Sequence, residues 1–220
     1  MKKFILILTF LLIGCNGCFI KMDGLGTKIN GSDNVIKENR QLRDFHTVHI
    51  LGSLDAEIAF GDTFSCKVKG ADNLVPFVET AIRNNTLIIS IEENYSTKSP
   101  LVIYLTMPVL EKAKIIGSGD ITISDVTKDK VTLIISGSGD ILASGNVDLL
   151  EAVVSGSGDL SLQNLRANHA NITINGSGDA EVWANQSISA RVNGSGDIIY
   201  SGDPVEVDTQ VNGSGKITKK

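Results

Sequence analysis

Over the second half of the chain, apolar residues occupy every second position, and their phase is locked to a recurring tripeptide. That tripeptide, Gly-Ser-Gly, starts at Gly117, Gly137, Gly156, Gly176, Gly194 and Gly213. Two residues before each start stand Ile115, Ile135, Val154, Ile174, Val192 and Val211. Four before it stand Ala113, Leu133, Ala152, Ile172, Ala190 and Thr209. Beyond the marker come Ile121, Ile141, Leu160, Ala180, Ile198 and Ile217, all of the same parity. Alternation of period two predicts strands that turn one face inward.

The marker recurs at intervals of 20, 19, 20, 18 and 19 residues. A near-constant period of this size marks a solenoid, in which each repeat is one coil stacked on the last. The expected fold is therefore all-β: a single-stranded parallel β-helix (β-solenoid) with coils of about 19 residues. The parity places both glycines of each marker on the inner side, where the coil crosses tightly or bends and a Cβ does not fit. Glycine in such places costs roughly 0.5–1 kcal/mol each against alanine, so twelve of them persist only if the geometry demands it.

The outward positions form a polar ladder: Ser118 and Asp120, Ser138 and Asp140, Ser157 and Asp159, Ser177 and Asp179, Ser195 and Asp197. Stacked strands lie about 4.8 Å apart. Adjacent Asp charges in such a column repel by roughly 0.9 kcal/mol in water before screening. Either backbone N–H groups of the bends satisfy the carboxylates, as in Asx turns, or a cation does. Calcium-binding nonapeptide rolls need their motif at every half-coil. Here the half-coils read Thr127-Lys128-Asp129-Lys130, Gly145-Asn146-Val147-Asp148 or Ala184-Asn185-Gln186, so the sequence predicts a structural ladder and no metal site. The sixth marker ends in Lys216, and with Lys219 and Lys220 it is expected to cap the open end against further strand addition.

The ends add a compartment. Residues 1–14 have a basic start at Lys2 and Lys3 and an apolar run from Phe4 to Ile13, the form of a signal peptide. The run closes in Leu12-Ile13-Gly14-Cys15, which resembles a bacterial lipobox with Cys15 as the lipidated residue. Residues 15–43 read as a flexible, lipidated tether and 44–220 as one domain. Cys66 lies on an apolar face and is expected to be a buried free thiol instead of pairing with Cys18 in the tether. With net charge −5 and no basic cluster beyond Lys219 and Lys220, the chain is not expected to bind nucleic acid.

Residues 44–111 lack the full marker but keep the alternation, with a short turn or helix expected at Val75–Ile82. Gly52-Ser53-Leu54-Asp55 is a degenerate copy that fits an earlier coil. These residues, with Ala56-Glu57-Ile58, Val68-Lys69-Gly70, Val78-Glu79-Thr80, Asn85 to Ser90, Pro108-Val109-Leu110 and the Gly-Ser-Gly-Asp array, resemble the head GIN domain family of putative auto-transporter adhesins. The resemblance covers residues 44–220. It implies a parallel β-helix on an exported bacterial lipoprotein and little chemistry.

No catalytic constellation emerges. His46 and His49 point to opposite faces, His169 sits in a connecting segment, and no Gly-x-Ser-x-Gly occurs. The five marker Asp residues are equivalent, whereas acid–base pairs in polysaccharide-cleaving β-helices are single departures from the repeat. The reading is a non-enzymatic lipoprotein of the cell envelope, lipid-anchored at the outer membrane and needing no cofactor. Its Ser/Asn/Asp ladder and the outward Trp183 are the candidate contacts for a surface glycan or protein. A structural or self-assembling component, and hence an oligomer, is the alternative; a polysaccharide-active enzyme is the third reading.

Overall fold

The computed structural model describes residues 28–220. The expected signal peptide, the lipidation at Cys15 and the partner question at Cys18 lie outside the described residues.

The architecture is a β-solenoid of about five turns. In chain order its strands are β1 (Ile29–Asn30), β2 (Val35–Arg40), β3 (Thr47–Gly52), β4 (Asp55–Phe60), β5 (Ser65–Ala71), β6 (Glu79–Arg83), β7 (Thr86–Ser90), β8 (Tyr95–Ser96), β9 (Val102–Met107) and β10 (Lys112–Gly117). Then come β11 (Ile121–Gly137), β12 (Ile141–Gly156), β13 (Leu160–Gly176) and β14 (Ala180–Gly194), which wrap most of a coil each, and β15 (Ile198–Ser201), β16 (Glu206–Gly213) and β17 (Ile217–Lys219). From β10 onward every pairing is parallel. The register aligns Gly117, Gly137, Gly156, Gly176, Gly194 and Gly213 in one column, as the period requires. The inward positions fill a single core: Ile115, Ile135, Val154, Ile174 and Val192 are fully buried, as are Ile121, Ile141 and Ile198.

The glycines are required, but for a different reason from the one expected. A Cβ on Gly139 would run into the carbonyl of Gly119, and one on Gly137 into that of Gly117. The excluded space thus belongs to the backbone of the preceding coil, not to the coil's own interior. The first glycine of each marker also holds a positive φ, +143° at Gly137, which other residues rarely adopt. Leu54 supports this account. It fills the second-glycine position of the degenerate marker, is fully buried, and needs no glycine because no coil precedes it at that corner.

The first coil runs through β3 and β4, with Gly52 paired to Gly117 and Ala56 to Ile121. The helix then gives way to a cover of antiparallel strands. On one face β9 pairs parallel with β4, then β5 lies antiparallel to β9 and β2 antiparallel to β5. On another, β7 follows β3 and β6 folds back along it. The expected turn is a 3-10 segment at Val75–Phe77, after which the chain becomes strand again.

The tether boundary moves. Residues 35–40, read as tether, form β2 and close the edge of β5. The stretch Val-Ile-Lys-Glu-Asn-Arg lacks an apolar alternation because only backbone pairing and charged side chains are needed at a sheet edge. Arg40 fixes it, donating to the carbonyls of Val75 and Val78 at 3.3 Å each and pairing with Glu38 at 3.0 Å. Cys66 on β5 is a buried free thiol, and burial pushes its pKa up to about 11.

At the other end nothing equivalent covers the core among the described residues. Val205 is 91% exposed, Val207 48% and Val211 39%, although they occupy or adjoin inward positions. Of the lysines expected to oppose strand addition here, Lys219 pairs with Asp203 at 2.7 Å.

Candidate functional site

Two corners of the coil carry the polar chemistry, and they differ in kind. At the marker corner the Asp column is wired through the backbone. The amide of Asp140 donates to Asp120 Oδ1 at 2.9 Å, Asp159 to Asp140 at 2.8 Å, and Asp179 to Asp159 at 2.7 Å. Asp197 donates to Asp179 and Lys216 to Asp197, both at 2.7 Å. Asp55 starts the chain by accepting the amide of Asp120 at 3.1 Å. Each carboxylate therefore satisfies a donor in the next coil, which offsets the repulsion along the column. Beside it, Asn212 donates to Asn193 and Asn193 to Asn175, at 2.9 and 2.8 Å. Ser118, Ser138, Ser157, Ser177 and Ser195 are exposed alongside. At Asp55 burial raises the pKa, the Asp120 amide opposes this, and the Asp120 charge adds to the rise.

The corners away from the marker are irregular. Register shifts fall between Ile123 and Val126, Leu142 and Ser144, Leu162 and Arg166, and Ala167 and His169. The variation in coil length is absorbed here. The shortest coil, between Gly176 and Gly194, brings Trp183 into register with Arg166. The Arg166 guanidinium carbon sits 3.5 Å from the Trp183 ring centroid, a cation–π stack. The Trp183 Nε1–H donates to Asn185 Oδ1 at 2.8 Å. From there a line of side chains crosses the coils: Asn185 donates to Asn168 at 3.4 Å, and Asn168 to Asp148 at 2.9 Å. Gly202 holds φ +94°, and a Cβ there would crowd the indole nitrogen at 3.2 Å. Beside this line runs an open groove lined by Lys128, Asp129, Asp148, Arg166, Asn168 and Asn185.

Of the residues singled out by sequence, Trp183 belongs to this groove corner, whereas the Ser and Asp residues stand at the marker corner. Lys128, Asp148, Arg166, Asn168 and Asn185 were not singled out. Their half-coils carry no repeated motif, and alignment of Asp148, Asn168 and Asn185 emerges only after the register shifts are known. The groove offers amides, carboxylates and cations in a row. His169 Nδ1 lies 2.8 Å from Ser187 Oγ, but no carboxylate among the described residues hydrogen-bonds the ring to orient it. Among the described residues, no three His, Cys, Asp or Glu side chains are grouped to hold a metal ion.

The family described as putative auto-transporter adhesin, head GIN domain, matches residues 44–204. The chain belongs to this family. Solved structures share the fold. A putative adhesin from Bacteroides fragilis is 24% identical with a TM-score of 0.69, over 87% of this chain and 100% of its own. A putative lipid binding protein from Parabacteroides distasonis is 24% identical with a TM-score of 0.59, over 88% and 100%. A putative adhesin from the same organism is 20% identical with a TM-score of 0.54, over 88% and 100%. No curated protein matches. The family and these neighbours carry adhesin or lipid-binding names, not enzyme names, and an adhesin family points to an extracellular or cell-envelope protein.

Proposed function

We propose that the protein is a non-catalytic binding module of the cell envelope, anchored through lipid on Cys15, whose groove holds a hydroxyl-rich polymer such as a surface glycan. One observation carries this reading. Asp148, Asn168, Asn185 and Trp183 form an unbroken hydrogen-bonded line across three coils, with Arg166 stacked on the indole. Coils about 4.8 Å apart place a new amide or carboxylate at each step, a spacing close to the repeat of successive sugar units along an extended chain. The Arg166 guanidinium, held on the indole of Trp183, brings a cation to the groove. The marker-corner Asp residues hold the coils together instead, since each has one oxygen committed to a backbone amide.

A glycan array probed with the protein and its variants tests the assignment. Arg166→Ala with Asn168→Ala should reduce binding at least about tenfold, the cost of losing two polar contacts, while Ser138→Ala with Ser157→Ala leaves it unchanged. The reverse pattern would move the site to the marker corner. Labelling with a fatty-acid analogue, lost in Cys15→Ser, tests the anchor.

A further inference from the structure

The two ends of the solenoid are finished differently. The N-terminal end is closed by β2, β5 and β6, which run antiparallel to their neighbours and hide the first coil. Among the described residues, β16 and β17 at the C-terminal end are each paired on one side only. There Val205, Val207 and Val211 stay in water. An unpaired strand edge over exposed valines is a template for another strand.

We propose that this open end pairs with the same end of a second copy, forming a two-fold, tail-to-tail dimer. At the N-terminal end the first coil itself has no free edge, and the outer strands of its cover carry Lys37, Glu38 and Arg40 on β2 and Glu79 and Arg83 on β6, charges that oppose strand addition. That leaves the open end as its own partner, the isologous arrangement of a two-fold dimer. A two-fold axis lays the two β16 strands antiparallel. Inward residues must then face inward residues, and centring on Thr209 sets Val207 against the second copy's Val211 in both halves. The charges agree with this symmetry. The axis exchanges the two ends of β16, so the corner with Lys216 meets the second copy's corner with Glu206, where Asp203 is already paired to Lys219. Outward Asp208 meets the second copy's Gln210, and like charges are not opposed.

The register makes Thr209 its own partner, with Cα atoms about 5.5 Å apart in a narrow antiparallel pair, inside the range of about 4.4–6.8 Å that a disulfide spans. In the full-length protein in detergent, Thr209→Cys treated with diamide should therefore give a covalent dimer on a non-reducing gel. Neither wild type nor the groove control Asn146→Cys should do so. Adding Val207→Lys should abolish the cross-link, and Val207→Lys alone should weaken the dimer at least about tenfold in sedimentation. A wild-type monomer at about 100 µM would overturn the proposal, since a specific dimer this weak is not sustained by such an interface. So would a series of higher oligomers, cross-linking of Thr209→Cys no faster than of Asn146→Cys, or its capture of a different protein.

Discussion

At the scale of single residues, the marker sorts into positions that carry geometry and positions that carry bonds. Gly139→Ala places a methyl group in the carbonyl of Gly119, so overpacking of about 1–3 kcal/mol is expected. The melting temperature should fall by roughly 2–12 °C, although alanine is ordinarily the better residue; calorimetry checks this. The Asp positions behave otherwise. Asp159→Asn keeps an acceptor for the Asp179 amide and removes a charge from the column, so its melting temperature should match or exceed wild type. Asp159→Ala should cost about 1 kcal/mol, the net worth of one hydrogen bond. Asp55 adds a pH dependence. Its folded-state pKa is raised above the ordinary 3.8, chiefly by burial, so its ionised form costs stability at higher pH and the cost vanishes once it is protonated. Asp55→Asn should therefore raise the melting temperature at pH 7, with the gain shrinking to nothing on acidification below about pH 4.

At the scale of elements, the regular coils were legible and the closing strands were not. The alternation around Ile135, Val154 and Ile174 fixes strand, face and stacking because each inward residue repeats a neighbour one coil away. The N-terminal cover repeats nothing. β2 is defined by backbone pairing to β5 and by the reach of Arg40 to the carbonyls of Val75 and Val78, relations that no local pattern encodes. Arg40→Ala should consequently loosen β2 alone. Hydrogen exchange at Val35–Arg40 should rise markedly while amides in β12 and β13 stay protected. The candidate groove was half legible for a similar reason. Trp183 stood out as an outward aromatic, but Arg166 became its neighbour only through the register shift after Leu162.

At the scale of the whole molecule, each coil contacts only the coils beside it, so stability is a sum over neighbours. Deleting residues 138–156 joins Gly137 to Ser157 and removes one coil without breaking the marker. That variant should fold, with β-sheet circular dichroism and a lower melting temperature, whereas deleting 138–147 should leave it unfolded. The wiring of the Asp column explains the difference: each rung asks only for a carboxylate below and an amide above. Coils could thus be gained or lost by duplication along a lineage with no new partner to evolve. Ancestral lengthening would change reach while the spine stayed the same, and novelty would collect on the side where the count of residues per turn is free to drift.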